Sequence, residues 1–222
     1  MDDAATLENF QPRQSLLPVL AAVEELCSGD HQGIFLWGPS GVGKSHLLQA
    51  ACTASGHEAL YLPLADLVEY PPDALLDGCE AASIVAIDEL DAVLDQPHWH
   101  EALFHLFNRR RDQGLPMLFA AAGAPSSYPQ LLPDLRSRLS SFPVFHLPRP
   151  DDQELQDVLR FRASRRGLGL SDEVVAYILG RAPRSTKALM TLLDTLDREA
   201  LARRRGITVP LLNELRLLSQ DQ

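Results

Sequence analysis

Residues Trp37 to Leu48 read WGPSGVGKSHLL. Within them, Gly38 to Ser45 satisfy GxxxxGK[ST] at every constrained position. The flanks give the motif its context. GIFLWG before it is a short apolar run ending in glycine, which predicts a buried strand. The stretch from Lys44 to Ser55, stopped near Gly56, predicts a helix. A strand, a glycine-rich loop and a helix N-terminus in that order make a cradle for phosphate. Glycines let the chain turn and aim successive N–H groups at phosphate oxygens, and the helix end adds positive potential. The candidate nucleotide-binding residues are therefore Gly38, Pro39, Ser40, Gly41, Val42 and Gly43, followed by Lys44, Ser45 and His46. Lys44 is expected to reach the β- and γ-phosphates, and Ser45 to ligate Mg²⁺.

A second motif supports the first. Ile84-Val-Ala-Ile87 is an apolar run that ends in Asp88-Glu89. A buried strand here delivers Asp88 to the metal, and Glu89 is a candidate to polarise an attacking water. Further strands are expected in ALYLPL, PMLFAAAG and FPVFHL, and further helices in SLLPVLAAVEELCS, HWHEALFHLFNRRRDQG and LPDLRSRL. In the first of these helices Ser15 is the expected cap. Strands alternating with helices predict right-handed βαβ units and a three-layer α/β domain around a parallel sheet. Its ligand site belongs at the carboxyl ends of the strands.

The pattern changes after Pro148-Arg149-Pro150, where only helices follow, over 151–166, 171–181, 185–204 and 209–218. Asp151 with Glu154 forms a capping-box start, Gly167 a stop, and Thr208 with Pro210 another start. The expected organisation is thus an entry segment and nucleotide-binding domain over 1–148 and a small all-helical lid over 149–222.

Two arginines stand out by position. Arg138, in LPDLRSRL beyond the fourth strand, is badly placed for its own nucleotide but suits a neighbour's. Arg184 stands where the long lid helix begins and is a candidate to reach phosphates from above.

Bulk composition narrows the partners. A net charge of −10 argues against autonomous DNA binding, since phosphate contacts need a cationic face. The arginine runs at 109–111 and 203–205 read as solvated helix ends, where cations suit the helix dipole. Cys27, Cys52 and Cys79 are odd in number, widely spaced and without a CxxC pair, so buried free thiols in a reducing compartment are expected. No apolar run approaches the ~18 residues of a membrane span, and the acidic N-terminus lacks a signal segment. A cytoplasmic location is expected.

These motifs, in this order, resemble the AAA+ ATPases, and within them the DnaA branch. KSHLLQAAC is similar to the stretch after the DnaA phosphate loop, LPDLRSRL to the arginine-finger box and RSTKALMTLLDTLDREAL to the sensor 2 helix. DDAATLENF resembles the linker ahead of the ATPase core. A core without the basic DNA-reading domain of DnaA is similar to the Hda-type regulatory inactivators. That resemblance implies a protein that binds ADP or ATP with Mg²⁺ and works with DnaA and the DNA polymerase III β sliding clamp. It would promote hydrolysis of DnaA-bound ATP and restrain initiation of replication, with weak intrinsic turnover, and form a homodimer or homo-oligomer. It implies that Arg138 is the arginine finger and Arg184 the sensor 2 arginine. The chain departs from the pattern at its start, where no clamp-binding peptide precedes Asp2, and at Phe119 to Ala124, where a polar sensor 1 residue is expected. Alternatives are a DnaC-like helicase loader or other DnaA-like adaptor, and a free-standing ATPase motor.

Overall fold

The computed structural model describes residues 5–11, 13–56 and 58–215. The start of the linker segment, Asp2 to Ala4, and residues 216–218 of the expected last helix lie outside them. The described chain divides into two units, one of Met1–Pro39 with Lys44–Pro148, the other of Ser40–Gly43 with Arg149–Gln222.

The first unit runs α1 (Leu17–Ser28), β1 (Gly33–Trp37), α2 (Lys44–Ala54), β2 (Leu60–Pro63), α3 (Leu64–Leu67), α4 (Pro72–Leu76), β3 (Val85–Asp88), α5 (Pro97–Asp112), β4 (Met117–Ala121), α6 (Pro133–Ser140) and β5 (Val144–His146). The sheet is parallel throughout, in the order β2-β3-β4-β1-β5. β4 therefore separates β1 from β3.

Alternation along the strands sorts the core. Phe35, Val85, Ile87 and Phe119 face one way, into a cluster with Trp99, Leu103 and Phe107 of α5 and Leu135 and Leu139 of α6. On the other side α2 packs on β2, β3 and β4, and α1 packs on β1 and α2. β1, β3 and β4 are buried almost throughout, as strands covered on both faces must be. This is the three-layer α/β architecture expected from the sequence, with short helices α3 and α4 that no periodicity announced.

Two local expectations need correcting. Ser15 does not cap α1: it lies inside a 3₁₀ turn, Gln14–Leu16, that leads into the helix, and no side chain caps the N-terminus. The arginine run at 109–111 is not a solvated helix end. Arg109 is exposed and Arg111 half-buried, but Arg110 points inward and is fully buried. Its Nη1 donates to the carbonyls of Cys79 and Ala82, both at 2.9 Å, and its Nη2 to that of Pro116 at 2.8 Å. The planar guanidinium fork ties a 3₁₀ turn, Cys79–Ala81, to the approach to β4: it serves the Ala82 carbonyl and adds a second donor to those of Cys79 and Pro116, which also accept the Ala82 and Val85 N–H groups. Burial pushes its pKa down to about 10, so it remains a cation at neutral pH. Of the thiols, only Cys79 is buried; Cys27 and Cys52 are half-buried, and all three are free.

The second unit comprises α7 (Asp152–Arg165), α8 (Asp172–Leu179), α9 (Thr186–Arg203) and α10 (Val209–Glu214). Asp151 and Glu154 form the expected capping box on α7. Thr208 accepts from the Leu211 N–H to cap α10. Leu159, Ile178, Leu193 and Leu196 centre a separate apolar core. None of the helices among the described residues is long and apolar enough to cross a membrane.

Arg110→Met is expected to lower unfolding free energy by about 2 kcal/mol, since the Ala82 carbonyl loses its donor and those of Cys79 and Pro116 each lose one of two. Urea denaturation followed by circular dichroism measures this. A change below about 1 kcal/mol would mean that the carbonyls find other donors.

Candidate functional site

The phosphate loop leaves β1 at Trp37 and enters α2 at Lys44. Gly38 shows why this loop needs glycine. Its φ is +154°, and a Cβ there would lie 2.2 Å from the backbone oxygen of Leu147. The chain is pinned on both sides at this point: the Gly38 N–H donates to the Ala121 carbonyl at 3.2 Å, and the Leu147 N–H to that of Trp37 at 2.7 Å. Gly43 also has a left-handed φ, +109°, and turns the chain into α2. Lys44 curls back over its own loop, with Nζ donating to the carbonyls of Gly38 at 2.6 Å and Pro39 at 2.9 Å. Burial lowers its pKa, and the charges of Asp88, Asp91 and Glu89 act in the opposite direction. Three carboxylates thus share the field of one ammonium.

Asp88 ends β3 almost completely buried, at 1% exposure. Both of its oxygens are engaged. Oδ1 accepts the N–H of Glu89 at 2.8 Å, and Oδ2 accepts the hydroxyl of Tyr61 at 2.7 Å. Glu89 is exposed and holds a left-handed backbone, φ +56° and ψ +46°. For a residue with a Cβ, that conformation costs of order 1–3 kcal/mol and is concentrated at functional sites. It turns the chain sharply from β3 into a 3₁₀ turn, Leu90–Val93.

That turn carries a residue which motif reading passed over. Asp91 Oδ2 accepts the Ala122 N–H at 2.7 Å, and Oδ1 accepts the Tyr128 hydroxyl. The Tyr128 oxygen in turn accepts the Gly123 N–H. The end of β4, where the sequence offers only apolar side chains, is therefore organised from outside. Its N–H groups are taken by a carboxylate and a phenol. Ser127, one of the serines beyond the strand, bonds locally to the Ala124 carbonyl instead.

On the linker side, the His46 ring nitrogen lies 3.1 Å from the Thr6 carbonyl and its ring 5.6 Å from that of Phe10. Val42 is buried. Arg138 sits on α6, which anchors itself through Leu135 and Leu139, one turn apart and fully buried. Arg136 bonds to the Tyr128 carbonyl at 3.5 Å, whereas the Arg138 guanidinium has no hydrogen bond or ion pair among the described residues. Arg184 lies two residues before α9 and pairs with Asp152 at 3.2 Å, both side chains about 70% exposed.

Residues 34–146 match the family model of the ATPase family associated with various cellular activities (AAA). The chain belongs to that family. Residues 151–215 of this AAA protein match the model of the Hda lid domain. Domain III of the Thermotoga maritima replication initiation protein DnaA superposes with a TM-score of 0.83 at 20% identity, over 100% of this chain and 99% of that one. AMPPCP-bound DnaA from Aquifex aeolicus gives 0.74 at 21% identity, over 90% and 68%. The Thermotoga maritima RuvB Holliday junction branch migration motor gives 0.71 at 18%, over 98% and 73%. The fold is thus that of a DnaA-like AAA+ protein, with an Hda-type lid, as the resemblance in the sequence implied.

The donor set suits the ligand such a fold takes. A cation over a glycine loop, a serine hydroxyl at the first turn of a helix and a buried carboxylate are a donor and two oxygen ligands matched to a nucleoside phosphate with Mg²⁺.

Gly38→Ala is expected to weaken nucleotide binding by at least about tenfold, because the new methyl collides with backbone rather than with a movable side chain. Equilibrium titration with a fluorescent ADP measures this. Unchanged affinity would show that Leu147 can withdraw.

Proposed function

We propose that this protein is a DnaA-related regulator that holds a nucleotide in its own phosphate loop and acts on DnaA. With the DNA polymerase III β sliding clamp it promotes hydrolysis of DnaA-bound ATP and restrains initiation. The observation that carries this reading is Arg138, a guanidinium on a firmly anchored helix with no partner among the described residues. A cation left unspent beyond the strand ends is available to another molecule's phosphates. In phosphoryl transfer, an arginine offered in trans is worth roughly 10³–10⁵ in rate.

In this reading the protein's own nucleotide is chiefly a ligand. Gly38 to Gly43 give backbone N–H groups, Lys44 gives charge, Ser45 and Asp88 hold Mg²⁺, His46 borders the loop and Arg184 answers to nucleotide from the lid. Glu89 is the candidate to orient water. The end of β4 gives it little help: the Ala122 and Gly123 N–H groups are already committed to Asp91 and Tyr128. Weak intrinsic turnover follows, and ADP is the expected occupant. The net charge of −10 suits contacts made through protein rather than through DNA.

Two outcomes are expected. Arg138→Ala should abolish stimulation of ATP-loaded DnaA in the presence of the DNA-loaded clamp, while ADP binding by the variant stays within about twofold of the parent. Retained stimulation would remove Arg138 from the role. Denaturing the purified protein and chromatographing the supernatant should release stoichiometric ADP. An empty site with rapid hydrolysis by the protein alone would favour an independent ATPase instead.

A further inference from the structure

Tyr61 belongs to ALYLPL, a stretch with no motif, on the edge strand β2. Its register is nevertheless informative. Tyr61 pairs with Ala86 and Pro63 with Asp88, so alternation places Tyr61 and Asp88 on the same face of the sheet. That face is covered by α2, which packs on both strands. The Tyr61 hydroxyl donates to Asp88 Oδ2 at 2.7 Å, and Ser45 and Gln49 of α2 lie close enough to influence its ionisation. Ser45 and Gln49 are four residues apart on α2 and so project from one side of it. One phenol thereby grips one of the side chains expected to hold the cation and lies near the other.

A tyrosine present only for packing has no need of these partners. The side chain is half-buried on an edge strand, and phenylalanine would fill the same volume. What the hydroxyl adds is a donor to a buried carboxylate whose other oxygen is already tied to the Glu89 N–H. Together the two donors fix the carboxylate plane and leave the remaining lone pairs of Oδ1 and Oδ2 pointing in set directions. Groups that orient a ligating carboxylate in this way are worth about 10–100-fold in metal affinity.

We propose that Tyr61 is a positioning residue for the divalent cation, orienting Asp88, and so sets how strongly nucleotide binding depends on Mg²⁺. The proposal rests on the phosphate-site reading above. It assigns Tyr61 no part in recognising the nucleotide itself.

The test is titration of the full chain with mant-ADP, in Mg²⁺ and in EDTA, for the parent, Tyr61→Phe, Asp88→Asn and the double variant. A thermal melt of each checks folding. The expected result is that Tyr61→Phe keeps its affinity in EDTA within about twofold and loses about tenfold of the Mg²⁺ enhancement. Because Tyr61 acts through Asp88, the double variant should lose no more than Asp88→Asn alone. An unchanged Mg²⁺ enhancement in Tyr61→Phe overturns the proposal. So does an equal loss with and without Mg²⁺, which is the signature of a merely structural side chain. Parent binding that is indifferent to Mg²⁺ overturns it as well, while leaving the phosphate site standing. Failure of the parent to bind mant-ADP under either condition overturns the phosphate-site reading itself.

Discussion

Main-chain pairing of β4 with β1 on one side and β3 on the other is the constraint from which the site follows. It is apolar burial that makes this pairing strong. Ile34, Leu36, Ala86, Leu118 and Ala120 show no exposure, and neither do Phe35, Val85, Ile87 and Phe119 on the opposite face. A strand covered on both sides has nowhere else to place its N–H and C=O groups, so the ladder and the core enforce each other. Once β4 is seated, the loop after β1 and the carboxylate after β3 must open on either side of its end. The Gly38 N–H then closes on the Ala121 carbonyl, and the loop starts from a fixed point.

The end of β4 is also where this protein differs from the pattern its sequence resembles. A polar side chain is expected there and none is supplied. Asp91 and Tyr128 arrive from a 3₁₀ turn and from the loop beyond the strand, and their oxygens take the two free N–H groups. The arrangement stiffens the strand end but presents no donor of its own to a phosphate. The slow turnover proposed above is what that exchange would produce. Tyr128 also links, through its carbonyl, to Arg136 on the helix that carries Arg138.

Charge is handled similarly at two cations of the first unit, the buried Arg110 and the half-buried Lys44. Arg110 and Lys44 are each desolvated, and each is satisfied mainly by backbone carbonyls. At Arg110 the carbonyls are permanent partners, and the residue braces the chain between the second and fourth strands. At Lys44 they belong to the phosphate loop, with three carboxylates in its field. The same chemistry gives a strut in one place and a binding group in the other, because only the second opens on the strand ends.

Much of this could be read from the chain. The phosphate loop, the apolar run into Asp88 and the capping pair Asp151 and Glu154 are local patterns, and local patterns survive in sequence because their physics spans few residues. Periodicity likewise separated the α/β unit from the all-helical one. It was less able to place the short helices between Leu64 and Leu76, which complete too few turns to show a period. It misread Arg110, since an arginine run at a helix end looks solvated until a neighbouring turn is seen to need its donors. Tyr61, Asp91 and Tyr128 carried no signal at all. Each acts through a partner 27 or 37 residues away, Tyr61 on Asp88 and Tyr128 on Asp91, and such pairs are chosen by strand register and turn placement. The sequence by itself determined which atoms could hold phosphate and metal. The tertiary structure alone decided which side chains aim those atoms, because aiming depends on which strands lie side by side.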